Sequence, residues 1–279
     1  MTFDVRLMCK VLHVSRSGLY AWLGRKESNR TRENREMTEL IRSVFDDSRK
    51  IYGAPRVFWS LRHLGVSCGR NRVARLMRVA GLRSKTKRKY RVNTTDSNHS
   101  LPIAPDLIER NFQADQANET WVSDMTYIPT DEGWLYLAAT MDLFSRRIVG
   151  WSMAPTMHAT IVVDALQMAI DQRSPAADLV HHSDRGSQYA SKVFRSQLTD
   201  HGLLASMSRK GNCYDNAAME SFFHSLKTEL VSHEHYRSHV EARASLFDYI
   251  EAFYNRERLH STLDYMSPAD FESGRTKAA

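Results

Sequence analysis

Little in this 279-residue sequence points to a secreted or membrane protein. Cysteine is scarce: Cys9, Cys68 and Cys213 are odd in number and far apart, so they suit neither a disulfide framework nor a CxxC-type zinc site. They read as free thiols. No apolar run approaches the roughly 18 residues that a membrane span requires. The opening MTFDVRLMCK lacks the continuous apolar stretch of a secretion signal. Cytoplasm is the expected compartment, and no membrane partner is expected. Internal repeats are missing, and one basic run is the sole low-complexity stretch. With 42% hydrophobic residues, the chain can bury the core of one large domain or two ordinary ones.

Acidic residues are in short supply only at the front. Residues 1–100 hold 23 Lys and Arg against 8 Asp and Glu, while the remainder holds 16 against 24. The net charge of +7 therefore conceals a cationic front and an anionic rear. The front reads as the polyanion-binding part. A basic face kept for solubility is the blander account, but the bias exceeds what solubility asks for. The densest run, RSKTKRKYR at 83–91, with Lys85, Lys87, Arg88 and Lys89, is followed by polar VNTTDSNHS. Such self-repelling cations cannot nucleate a core, so the stretch predicts a linker that orders against phosphates.

Ahead of that run, MTELIRSVFDDSRKIYG sets Leu40, Ile41, Val44 and Phe45 at helical spacing before Gly53 and Pro55 break it. PRVFWSLRHLG predicts a second helix with Val57, Phe58, Leu61 and Leu64 on one side. In SCGRNRVARLMRVAGL, Val73, Leu76, Met77 and Ala80 face inward and Arg72, Arg75 and Arg78 repeat on the other face. Short helices joined by a tight GVS turn, the last lined with arginine, suit a helix-turn-helix laid along a DNA groove. Further upstream, CKVLHVSRSGLYAWL reads as part of a second such unit, its second helix carrying Leu19, Tyr20, Trp22 and Leu23.

After the linker, strands and helices alternate. TWVSDMTYIPT, a DEGW turn, WLYLAATMDLF and RRIVGWSM predict three strands. TIVVDALQMAIDQ, DLVHHSD, QYASKVFRSQLTDHG and LLASMS then predict helix, strand, helix, strand, before a loop and a further helix. The expected fold class is α/β, a mixed sheet covered by helices behind a small helical domain.

Asp124 interrupts the apolar first strand, and Asp184 ends the fourth, where open α/β sheets hold their ligands. Glu220 stands early on a helix entered through GNCYDN. If the first and fourth strands are neighbours, both aspartates emerge at one sheet end and the helix can swing Glu220 over them. Each acid alone has a structural explanation: a strand aspartate is usually a hydrogen-bonding group, and a first-turn glutamate complements the helix dipole. Together they would repel unless neutralised, and a hard oxygen donor set selects Mg²⁺ or Mn²⁺. Two such ions can activate the attacking oxygen and stabilise the leaving oxygen of a phosphoryl displacement. His181 and His182 are adjacent on a strand and point to opposite faces, which argues for packing rather than joint ligation.

The blocks WVSDMTYI, HHSDRGSQY and SRKGNCYDNAAMESFFHSLKTEL resemble the three acidic motifs of DDE transposases of the insertion-sequence-three family. These are relatives of retroviral integrases. Between Asp184 and Glu220 lie 35 residues, the interval of the DD(35)E signature. IYGAPRV, VARLMRVAGL, MDLFSRRIVGW and YNRERLHSTLDYMSPADF extend the likeness from about residue 10 to about 272.

The resemblance implies an RNase H-like integrase catalytic core at 116–272. Before it would come a partial helix-turn-helix-like segment at 1–30, a helix-turn-helix-like DNA-binding domain at 35–82 and a basic, polar linker at 83–115. It implies a transposase of a bacterial insertion sequence, working at the nucleoid. Asp124, Asp184 and Glu220 would hold two Mg²⁺ or Mn²⁺ ions for DNA 3′-end cleavage and strand transfer, with a circular intermediate. Lys227, about two helical turns beyond Glu220, would approach the DNA end, and Gly211, Asn212, Asp215 and Asn216 would shape a loop beside the site. Partners would be double-stranded DNA at element ends and target, and further copies of the chain on that DNA. The start shows no heptad run, so the chain resembles the downstream reading-frame product alone, and the upstream-frame product or a fusion with it joins the expected partners. A non-catalytic DNA-binding regulator, or an RNase H-like nuclease that joins nothing, would share much of this pattern.

Overall fold

The computed structural model describes residues 4–85, 101–109, 111–209 and 216–276. It falls into two compact units, residues 1–84 and 85–279.

The first unit is helical: α1 (Val5–Val11), α2 (Arg16–Leu23), α3 (Asn29–Asp47), α4 (Ala54–His63) and α5 (Arg70–Val79). Side-chain oxygens start the first three helices, with Asp4, Ser15 and Ser28 accepting backbone N–H groups of Arg6, Gly18 and Thr31. The Ser28 cap makes α3 begin at Asn29, ahead of the domain start expected at 35 and inside the segment expected to end at 30. Met37, Ile41, Val44 and Phe45 of α3 are buried, as are Val57 and Leu61 of α4 and Val73, Leu76 and Met77 of α5.

Two expected core residues are instead exposed: Leu40 at 43% and Leu64 at 67%. Leu64 has already left the helix, because Gly65 turns the chain at φ +76° and the Val66 N–H closes on the Leu61 carbonyl at 2.9 Å. Leu40 lies one residue to the solvent side of the Met37–Ile41–Val44 stripe. In α1 and α2, Cys9 alone is buried, while Tyr20, Trp22 and Leu23 lie on the surface, so this pair has no core of its own.

The second unit opens with β1 (Thr120–Thr130), β2 (Gly133–Asp142) and β3 (Ile148–Ala154). It continues through α6 (Thr160–Arg173), β4 (Val180–Ser183), α7 (Lys192–Asp200), β5 (Leu204–Met207) and α8 (Ala217–Glu229). After α9 (His239–Phe247) and a π-helical stretch at Asp248–Tyr254 comes α10 (Pro268–Thr276). The five strands form one sheet in the order β3-β2-β1-β4-β5. β1 pairs antiparallel with β2 and parallel with β4, and β5 lies parallel to β4. This is the mixed sheet expected from the sequence.

One sheet face carries Trp121, Ala138 and Val149, buried with Ala165, Leu166 and Ala169 of α6 and Phe194 of α7. α6 approaches β3 closely because Gly150 has no side chain. A Cβ there would run into the Ala165 carbonyl oxygen and come within 2.7 Å of the Ala169 nitrogen. Both obstacles are backbone, so neither can rotate away. Gly150→Ala is expected to cost about 1–3 kcal/mol of stability, read as a lower urea midpoint; an unchanged midpoint would mean that α6 withdraws freely.

At the sheet edge, β3 is held by the segment after α9. The Asn255 amide pairs with both the N–H and the carbonyl of Ile148, at 2.9 and 3.0 Å, as another strand would. α10 is tied on by Glu272, which binds Arg147 at 2.9 Å and Arg173 at 2.8 Å. Burial alone would raise the Glu272 pKa, but hydrogen bonds from Arg173, Ser145 and Arg147 outweigh it and the net shift is downward.

Candidate active site

The β1–β4 register places the first two acids. Trp121 lies opposite His181, Val122 opposite His182 and Ser123 opposite Ser183, where β4 ends. One step further along both chains come Asp124 and Asp184, level with each other at the carboxyl end of β4. β4 ends there, whereas β1 runs on to Thr130 against β2, so Asp124 borders the opening left by the end of its parallel neighbour.

Their local bonds differ. Asp124 Oδ1 accepts its neighbour Met125 N–H at 2.7 Å. Asp184 Oδ1 accepts the Gly186 N–H at 2.8 Å, folding the chain into a turn beside the strand end. The Asp124 pKa is raised well above the usual carboxylate range, chiefly by burial and next by the Asp184 charge. The Met125 N–H opposes this, Glu220 adds to it and the Lys227 ammonium opposes it. Three charged groups, from residues 184, 220 and 227, therefore act on the Asp124 carboxyl.

Glu220 lies exposed in the first turn of α8. Among the described residues, no three His, Cys, Asp or Glu side chains come close enough to hold a metal ion. Asp184 and Glu220 nonetheless both lie near enough for their charges to act on the Asp124 carboxyl.

The start of α8 is fastened to β1 by Asn216. Its buried side chain leaves the helix uncapped and donates instead from Nδ2 to the Ser123 carbonyl at 3.0 Å, one residue before Asp124. Ser123 is itself fixed, its hydroxyl within 2.8 Å of both Thr140 Oγ1 and His181 Nε2. His181 is kept neutral, its pKa lowered to about 3 by burial and then by His182. His182 turns the opposite way and bonds Ser206 Oγ at 2.8 Å. The two histidines thus act as sheet fasteners. Asn216→Ala is expected to slow the chemistry of this site roughly 10–100-fold, the usual effect of losing a group that orients a site, while thermal stability changes far less. A wild-type rate in that variant would remove Asn216 from this role.

Lys227 sits with Nζ 4.8 Å from the centre of the Tyr127 ring. Three other expected DNA-binding residues are described on the first unit. Arg75 and Arg78 are exposed. Arg72 bonds Asn34 Oδ1 at 2.9 Å and lies 3.5 Å from Glu33, so it is partly engaged within the unit. Lys85 likewise donates to the Glu229 carbonyl at 3.2 Å, at the C-terminal end of α8. Lys87, Arg88, Lys89, Gly211, Asn212 and Asp215 lie outside the described residues.

Two features escaped the sequence reading. Tyr189 is buried at 2% exposure beside the acids, and its hydroxyl makes no hydrogen bond among the described residues. Burial, then the charges of Asp124 and Asp184, raise its pKa well above that of a free tyrosine. Its place five residues after Asp184 was the available signal. The second feature is a buried ion pair under α8. Arg258 donates to both Glu229 oxygens at 2.8 and 2.6 Å, and the Tyr249 hydroxyl adds a 2.7 Å bond. Burial alone would lower the Arg258 pKa, but Glu229 outweighs it and the guanidinium is held more firmly charged.

Residues 114–213 and 220–275 match models of the integrase core domain, and residues 31–90 match an HTH-like domain. The fold and site thus define an integrase-core enzyme of the polynucleotidyl transferase superfamily, preceded by an HTH-like helical domain.

The transposase InsF for insertion sequence IS3A of Escherichia coli strain K12 is 44% identical over 97% of this chain and 94% of its own length. A 31 kDa protein of insertion element IS600 from Shigella sonnei is 45% identical over 95% of this chain and 97% of its own. The chain belongs to the IS3 family of transposases. Among solved structures, the catalytic core domain of BIV integrase aligns at TM-score 0.43 and 17% identity, covering 58% of this chain and 99% of that one. No helix among the described residues is long and apolar enough to cross a membrane.

Proposed function

We propose that this transposase cuts DNA at the 3′ ends of its element and joins them to another strand, using divalent ions held by Asp124, Asp184 and Glu220. The observation that supports this best is the parallel β1–β4 register, which sets Asp124 and Asp184 side by side at an open sheet end. The residues fit a hard divalent cation. The donors are carboxylates, burial and mutual repulsion press on Asp124, and a cation relieves both. When bound, such ions activate the attacking oxygen and stabilise the leaving oxygen.

The chain's own residues supply placement. Asp124 and Asp184 fix one edge of the cation site, and Glu220 closes it by a movement of its side chain or of the first turn of α8. Asn216 limits that movement at β1. Lys227 offers a positive charge to a phosphate of the bound strand. Arg75, Arg78 and the basic run with Lys87, Arg88 and Lys89 hold duplex phosphates, and Arg72 and Lys85 join them by exchanging their internal partners. In the first step a water oxygen bonds to phosphorus and the P–O3′ bond breaks, leaving a 3′-hydroxyl. That hydroxyl then attacks a second phosphodiester and displaces another 3′-hydroxyl, so neither oxidant nor nucleotide is consumed. Pairing two element ends calls for more than one copy on the DNA and for the upstream-frame product or its fusion. The work would take place at the bacterial nucleoid.

Pre-cut terminal DNA incubated with the chain and Mn²⁺ is expected to yield joined strands. Shortened strands without joining would favour a plain nuclease, and binding without either product would favour a DNA-binding regulator.

A further inference from the structure

We propose that Tyr127 and Trp134 form a stacking wall that receives an unpaired nucleobase of the DNA strand engaged at Asp124 and Asp184. This rests on the DNA-joining function proposed above. Trp134 opens β2, next to the β1–β2 turn, yet 51% of it is exposed to water. Its ring meets Tyr127 edge-on, with centres 4.7 Å apart and planes at 79°. Tyr127 in turn lines the same cleft as Asp124 and Asp184, together with Tyr136 and Gln188. Tyr127 thus joins the cleft of the acids to an indole that stands in solvent.

A pair kept only for core packing would be covered; this one presents an indole at the rim. The Lys227 ammonium lies 4.8 Å from the Tyr127 ring centre. A cation beside an aromatic face is the combination that holds a nucleotide, with the phosphate on the ammonium and the base on the ring. A base inside a duplex has both faces covered by its neighbours, so the wall suits a base already out of the stack. The strand end freed by cutting, or the flank beyond it, provides such a base. Trp134 would thus act in positioning and in the choice of DNA end.

The test uses the full chain and a DNA end with a short single-stranded flank carrying 2-aminopurine at one position at a time. Wild type is expected to quench the probe at one flank position. Trp134→Ala should abolish that quenching and weaken flanked ends about tenfold, with binding to fully paired duplex unchanged. Trp134→Phe should keep most of both. Unaltered quenching in Trp134→Ala, an equal loss on paired duplex, or a changed oligomeric state with DNA binding intact would overturn the proposal. Thermal melting of both variants shows that they fold. Asp124→Asn should still quench; joining by that variant would remove the catalytic reading and leave the stacking wall standing.

Discussion

Asp124→Asn should bind terminal DNA as wild type does and join none of it within a normal assay. Loss of one strong electrostatic contributor to a transition state already costs ~10²–10³-fold, and this residue is proposed to anchor the ions on which both chemical steps depend. Asp184→Asn and Glu220→Gln should be equally inactive. Pairs of these changes should be no worse than one, because the carboxylates act as a unit. A second readout separates this role from a structural one. In the folded chain burial and Asp184 both oppose a charge on Asp124, so the neutral amide, which carries none, should raise the melting temperature of the metal-free protein. An inactive but more stable variant marks a residue kept for function against the interest of the fold. A less stable one would make Asp124 a structural hydrogen-bonding group. Shift assays supply the binding arm, and denaturing gels the joining arm.

The largest expected effect on stability lies 29 residues downstream of the ion pair's first member, at Arg258. Arg258→Ala leaves the Glu229 carboxylate buried at 6% exposure without its guanidinium, and breaking such a pair costs about 3–5 kcal/mol. Tyr249 would keep one hydrogen bond to Glu229 but supplies no charge. Replacing both partners, Glu229→Met with Arg258→Leu, should recover much of the loss, because it removes the stranded charge as well as the attraction. Urea unfolding of the two singles and the double forms the required cycle. Singles within about 1 kcal/mol of wild type would mean that water reaches the pair. The pair bears on function because Glu229 ends α8, the helix that carries Glu220 and Lys227.

What the sequence disclosed follows from the range of the forces involved. The strand and helix order was legible in period and turn chemistry, and β1 and β2 meet across the expected turn at Asp131 and Glu132. Asp124 and Asp184 stood out because an acid in an apolar strand demands an explanation. Their level placement depended on β1 and β4 being neighbours, a pairing across some 60 residues that no local pattern encodes.

Leu40 and Leu64 were assigned to the core on hydrophobicity, yet a one-residue rotation and a helix stop put them in water. Arg72 and Lys85 read as phosphate contacts because charge alone gives no partner, and Asn34 and the end of α8 supply partners. The isolation of the Tyr189 hydroxyl and the Glu229–Arg258 pair were not legible for the same reason: only tertiary packing isolates a hydroxyl or brings two distant charges together. The approach of Glu220 depends on a helix-start geometry that its spacing from Asp184 does not fix.

The most direct measurement is a crystal structure of the chain on a DNA end with Mn²⁺, read at the manganese absorption edge. The account requires anomalous peaks between the Asp124 and Asp184 carboxylates, with Glu220 drawn in as a further ligand. Manganese bound elsewhere, or Glu220 still turned to solvent with a phosphate seated on the two aspartates, would contradict it.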